Sequence, residues 1–235
     1  NSVGEMDNNG QTLLHTAAYA GNTKLVKHLL SKGARINAVD EHGWTALLCA
    51  ISPGHFETAL VLIKAGADCV LASESDNNAL HYLARWPDVT EDYLNVMRAL
   101  LKGNCDPNLQ NLDGDTPLTS LCQRNPKLEA VEVLLRGGAS PNIANNSGFS
   151  PLHIAIASDN GQLVSKLLES GADPEQPSSL GSPVAFATSK NKHILLAALT
   201  ETVRRRQALL PTVGSKASSA SSPTSAPVEP KTLDI

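Results

Sequence analysis

Gly148-Phe149-Ser150-Pro151-Leu152-His153-Ile154-Ala155 decides how this chain is read, because the chain copies it. Upstream stand Gly10-Gln11-Thr12-Leu13-Leu14-His15-Thr16-Ala17 and Gly43-Trp44-Thr45-Ala46-Leu47-Leu48-Cys49-Ala50. Asp76-Asn77-Asn78-Ala79-Leu80-His81 and Gly114-Asp115-Thr116-Pro117-Leu118-Thr119 lie between, and Gly181-Ser182-Pro183-Val184-Ala185-Phe186-Ala187 is a worn copy downstream. Thr12 to Thr45 and Thr45 to Asn78 are 33 residues each, Asn78 to Thr116 is 38, and Thr116 to Ser150 is 34. Self-similarity at this period means a stacked array of one supersecondary unit.

Each unit carries its own start and stop signals. Thr12 or Thr116 is an N-cap ahead of an apolar run, and Pro117 suits the first helical position, where no N–H is needed. A second apolar helix follows, with Leu25, Val26, Leu29 and Leu30 in the first unit and Leu163, Val164, Leu167 and Leu168 in the fifth. Gly33, Gly66, Gly138 and Gly171 then end it, since glycine takes a left-handed conformation without a Cβ clash. Asn104 replaces this stop in the third unit, and asparagine is the next best residue there. The third unit departs furthest: Asp76 stands for the turn glycine, and five extra residues lie within 85–93. In that insertion Asp88 and Glu91 have capping-box spacing for the next helix. The last unit ends in Arg204-Arg205-Arg206 and reads as a polar cap, with a nuclear-import fragment as the competing reading of the arginines.

The pattern closely resembles the ankyrin repeat, whose signature is T-P-L-H-x-A. The resemblance covers about residues 7–210, in six copies that are in phase. It implies an all-α solenoid of helix-turn-helix repeats joined by β-hairpin-like loops, over approximately 7–39, 40–72, 73–111, 112–145, 146–176 and 177–210. Residues 1–210 are then one repeat domain. Residues 211–235 are Ser/Ala/Pro-rich and are expected to be a disordered tail or linker. Because the chain begins at Asn1, it is expected to be a piece of something longer.

Composition narrows function. Hydrophobic residues are 41% and aromatics only 3%, so the core is Leu, Val and Ala. A net charge of −4 without long single-sign blocks argues against a nucleic-acid backbone as main partner. Cys49, Cys69, Cys105 and Cys122 are scattered without a Cys-x-x-Cys pair and read as small buried thiols, not a disulfide or metal framework. No secretory leader pattern and no apolar run of ~18 residues is present, so a cytoplasmic home is expected, with the nucleus as alternative.

Catalytic patterns are missing: no Gly-x-Ser-x-Gly elbow, no phosphate-cradling Gly-Lys-Ser/Thr loop, no His-Glu-x-x-His helix. His15, His81 and His153 recur one per repeat, which does not suit a convergent metal or catalytic cluster. In the family this histidine makes structural hydrogen bonds near the helix start, linking neighbouring loops. Asp113 and Asp115 flank a turn glycine and are expected to be solvated. No cofactor and no metal is expected.

The resemblance implies partner binding on a concave surface of hairpin tips and exposed first-helix residues. Carried over copy by copy, that surface holds Tyr19, Glu41, His42, Trp44, Arg85, Trp86, Leu112, Asp113, Asp115, Arg124 and Phe149, and it includes Gln123, Ala157 and Ser158. Aromatic residues and arginines are the usual anchors. Trp44 and Phe149 have a competing reading as residues packed on the adjacent hairpin, and Trp86 as one packed inside its own insertion. The expected function is a non-catalytic protein-interaction module, monomeric, serving as scaffold or adaptor for another protein or peptide segment. A nucleic-acid- or lipid-binding module and an enzyme in its own right are the alternatives. The family is also a known substrate of asparaginyl hydroxylation, at an Asn placed eight residues after Leu and two after Asp. Leu100, Asp106 and Asn108 fit that spacing, whereas Asn37 and Asn142 lack the Asp.

Overall fold

The computed structural model describes residues 3–124 and 126–209. The expected tail over 211–235 lies outside the described residues. Those described form helix pairs: α1 (Leu13–Tyr19) with α2 (Thr23–Ser31), α3 (Ala46–Ile51) with α4 (Phe56–Lys64), and α5 (Ala79–Leu83) with α6 (Glu91–Lys102). The series continues with α7 (Pro117–Cys122) and α8 (Leu128–Arg136), α9 (Pro151–Ala157) and α10 (Gly161–Glu169), and α11 (Pro183–Ser189) and α12 (His193–Leu209). First helices stack in the order α1, α3, α5, α7, α9, α11, and second helices in the order α2, α4, α6, α8, α10, α12. Contacts of this nearest-neighbour kind make an all-α solenoid.

Side-chain size explains the stacking. The core holds Ala17, Ala18, Ala46, Ala50, Ala59, Ala79, Ala130 and Ala155 between leucines and valines, all buried. Small residues let helices five to nine residues long approach closely, and such helices need neighbours, because isolated helices of that length are marginal in water. All four cysteines are free and buried. Burial pushes the thiols of Cys49, Cys105 and Cys122 up to about 12, so at neutral pH they are inert apolar fillers.

The caps follow local chemistry. Thr45, Asn78, Thr116, Ser150 and Ser182 each accept a hydrogen bond from the N–H three residues on. Asn104 has φ 62° at the stop of the third unit, and Asp76 has φ 56° at its turn, so both non-glycine residues take the left-handed conformation. The insertion departs from expectation. Helix α6 is capped by Thr90, whose Oγ1 accepts from Tyr93 N at 3.2 Å. Asp88 therefore has no capping role, because the chain is still extended at Thr90 and the helix starts one residue after it. The final helix runs 17 residues, and Arg206 turns back to donate to Asp173 Oδ1 at 3.1 Å and Ala172 O at 2.8 Å.

Candidate interaction surface

Four of the hairpin tips, those beginning at Asp7, Asp40, Asn111 and Asn145, are built around one side-chain acceptor. Asp40 Oδ1 accepts from His42 N at 2.9 Å and Trp44 N at 2.8 Å. Asn111 Oδ1 accepts from Asp113 N and Asp115 N, and Asn145 Oδ1 from Ser147 N and Phe149 N. Asx turns of this kind fold the loop locally, and neighbouring tips are then sewn together by backbone bonds. Glu41 N donates to Asn9 O at 3.0 Å, Glu74 N to His42 O at 3.0 Å, Leu112 N to Ser75 O at 3.3 Å, and Asn146 N to Asp113 O at 3.1 Å.

The histidines tie each hairpin to the next repeat. His15 Nδ1 accepts from Thr12 N, and its Nε2 lies 2.9 Å from Trp44 O. His81 repeats this with Asn78 N and Asp115 O, and His153 with Ser150 N and Gly181 O. A backbone N–H on Nδ1 and a carbonyl at Nε2 select the neutral tautomer with its proton on Nε2. Burial lowers the pKa of His81 and His153 and outweighs the opposite pull of the carbonyl bonds to Asp115 and Gly181. The three rings stand one per repeat and never converge.

Most of the sequence-derived surface residues are available. Glu41, His42, Arg85, Leu112, Asp113 and Arg124 are exposed, and Tyr19 is 62% exposed. His42 sits between Glu41 and Glu74, with Nδ1 3.1 Å from the Glu74 carboxylate. Trp44 and Phe149 are half-buried, and each packs on the next repeat: Trp44 lies 4.8 Å from Tyr82 and Phe149 6.0 Å from Phe186, centroid to centroid.

One expectation, for Asp115, and one competing reading, for Trp86, need correction. Asp115 is buried, not solvated. Its carboxylate accepts from Gln123 Nε2 at 3.1 Å and Asn145 Nδ2 at 2.8 Å, so neighbouring amides hold it below the surface. Trp86 packs on the preceding repeat, not inside its own insertion. Its Nε1 donates to Ile51 O at 3.0 Å and its ring meets Phe56 edge-on at 5.7 Å. A Cβ at Gly54 would collide with that ring, so glycine is needed for the approach.

A second set of inter-repeat links went unrecognised in the sequence. Asn37 Oδ1 accepts from Asp68 N at 2.8 Å, Asn108 Oδ1 from Ser140 N at 2.7 Å, and Asn142 Oδ1 from Asp173 N at 2.7 Å. The amide nitrogens of Asn108 and Asn142 donate to Gly138 O and Gly171 O. The signal was an asparagine three residues past Ala34, Cys105 and Ala139, in register.

No helix among the described residues is long and apolar enough to cross a membrane. The family model described as Ankyrin repeats (3 copies) matches residues 1–73 and 80–178. Mouse Rabankyrin-5 is 36% identical over 131 residues, which is 52% of this chain and 11% of that protein. Zebrafish Putative palmitoyltransferase ZDHHC13 is 29% identical over 227 residues, 88% of this chain and 33% of that protein. Human Ankyrin repeat and SOCS box protein 3 is 28% identical over 177 residues, 74% of this chain and 33% of that protein. The chain therefore spans a third or less of the length of these relatives. The hairpin and helix pair that the sequence repeats, the solenoid they build and the family model that covers most of the chain agree: the protein belongs to the ankyrin-repeat family.

Proposed function

We propose that the chain is a non-catalytic protein-binding module that takes its partner on the concave surface of hairpin tips and first helices. Ankyrin repeats generally mediate protein–protein interaction. The observation that carries the reading is the row of sewn tips. Their backbone is fixed by bonds from one repeat to the next, while Glu41, His42, Leu112 and Asp113 remain exposed. A rigid display of exposed side chains loses little conformational entropy on binding. The module acts as a scaffold or adaptor arm in the cytoplasm, on its own as a monomer.

Glu41→Lys with Arg124→Glu tests the surface. Both side chains are exposed, so the fold is left alone. Trp44→Ala would mix lost contact with lost packing on Tyr82. Partners captured by the unaltered chain should be released by the double variant. Partners retained at full strength would overturn the concave reading.

Asn108 is proposed as the hydroxylation target. Its amide bridges two repeats, and its neighbour Asp106 holds the Asn108 N–H through Oδ1 at 2.8 Å. Peptide mass analysis of protein from animal cells should show one added oxygen at Asn108, and an unmodified residue would retire the assignment.

A further inference from the structure

A cleft of about 320 Å³ opens between the fourth and fifth repeats, lined by Gln123, Asn145, Phe149, Ile154, Ala157 and Ser158. At two other junctions the corresponding slot is filled by aromatic rings. Between the second and third repeats Trp44 meets Tyr82 at 4.8 Å, and the Arg85 guanidinium lies 5.3 Å from the centroid of the Tyr82 ring. Between the fifth and sixth, Phe149 meets Phe186 at 6.0 Å, with Lys190 Nζ 5.6 Å from the Phe186 centroid. Between the fourth and fifth, the register puts Asp115 where Trp44 and Phe149 stand and Ile154 where Tyr82 and Phe186 stand. Ala157 stands where Arg85 does. Smaller side chains leave a space walled mainly by carbon.

Charge beside the cleft, behind two of its lining residues, is also unbalanced. The Asp115 carboxylate lies behind Gln123 and Asn145, held by their neutral amides, in a residue 9% exposed. Among the described residues no Lys or Arg forms an ion pair with it. Arg124 follows Gln123 but is exposed and makes no such pair. Buried charges are normally compensated by a cation. The adjoining tip carries exposed Asp113, and hairpins 7–11, 40–44, 73–77, 111–115 and 145–149 contain no Lys or Arg at all.

We propose that this cleft takes one aliphatic side chain from an extended segment of a partner protein, with a Lys or Arg beside it directed at Asp115 and Asp113. The proposal rests on the concave-surface reading and adds the chemistry of the partner. A side chain supplied in trans completes the slot that Tyr82 and Phe186 complete in cis, and the neighbouring cation answers the carboxylates.

The probe is a random-peptide display library selected on the full chain, followed by affinity measurement with the enriched peptides. Ala157→Trp fills the cleft from an exposed position, and Asp115→Asn removes the charge while keeping an acceptor for the amides. Thermal melts of both variants establish that they are folded. Enriched peptides should carry Val, Ile or Leu next to Lys or Arg. They should lose about tenfold or more in affinity for folded Ala157→Trp, and several-fold for folded Asp115→Asn. Peptides that bind Ala157→Trp undiminished overturn the cleft. If those same peptides are weakened by Glu41→Lys with Arg124→Glu, the concave surface stands and this inference alone falls. If neither set weakens them, both fall. A selection that enriches no sequence also overturns the inference.

Discussion

The second and third repeats meet very differently from the third and fourth. At the later junction the ties are polar and repeat the family pattern: His81 reaches Asp115 O at 2.9 Å, and Asn108 bridges Gly138 O and Ser140 N. At the earlier one both ties are gone, because Leu48 replaces the histidine and Val70, 57% exposed, replaces the asparagine. In their place stand five of the chain's eight aromatic residues: Trp44 on Tyr82, Phe56 on Trp86 and Phe56 on Tyr93, with Trp86 bonded to Ile51 O. The comparison teaches that the period needs a joint, not a particular joint. A solenoid is a sum of neighbour interfaces, so packed rings can replace directed hydrogen bonds provided that each interface closes. The insertion over 85–93 reads differently in that light. It supplies Trp86 to a junction that lost its standard bonds.

Trp86→Ala is the strongest way to break the aromatic joint. Truncating a half-buried indole that also donates a hydrogen bond is expected to cost about 2–3 kcal/mol. Because interfaces act locally, amide exchange should rise first in α1–α4 while α7–α10 keep their protection. A change below about 0.5 kcal/mol would show that the rings do not hold this junction. His81→Ala attacks the polar joint and should cost about 2 kcal/mol in denaturant unfolding, since Asn78 N and the Asp115 carbonyl lose their partner.

Acid distinguishes the two joints more finely. Burial holds His81 below its ordinary value of 6.5, and His153 likewise, so the native state resists their protonation. The stability that neutral imidazole contributes is complete above the unfolded value of about 6.5 and is lost as pH falls below it toward the lower folded value. The urea midpoint should therefore fall between about pH 7 and about pH 5, and His81→Ala should flatten that slope. Exchange at the aromatic junction, which has no such histidine, should respond less than at the two flanked by His81 and His153.

Two smaller changes should strengthen the aromatic junction. The Tyr93 hydroxyl is buried with no hydrogen-bond partner among the described residues, and burial pushes its pKa well up. Tyr93→Phe keeps the ring against Phe56 and removes the orphaned group, for an expected gain of about 1 kcal/mol in thermal or chemical unfolding. Val70→Asn restores the bridging amide, in register with Asn37, Asn108 and Asn142, and should add about 0.5–1 kcal/mol. A loss on either substitution would show that the junction is already complete without it.

Much of this was legible because the repeat signals are local. Thr116-Pro117 announces its helix start, and Gly138 its helix end, through dihedral preferences that need no knowledge of the rest of the molecule. The histidine role was readable from recurrence and family resemblance. The candidate surface was legible only in outline. Tyr19, His42, Arg85 and Arg124 were placed on the outside and are exposed. Asp115 looks like its neighbour Asp113 in the sequence, yet one is buried and the other free. That difference depends on Gln123 and Asn145, eight and thirty residues away, which no local pattern connects.

The sequence by itself determined the unit, its period and the faces that turn inward, since a 33-residue hairpin and helix pair buries its apolar side only against a copy of itself. The tertiary structure alone decided which ring fills which slot, where Trp86 goes, which carboxylate is buried and where a cleft is left open. Those outcomes depend on how side chains from different repeats share one space at close packing, and sequence order does not encode that space.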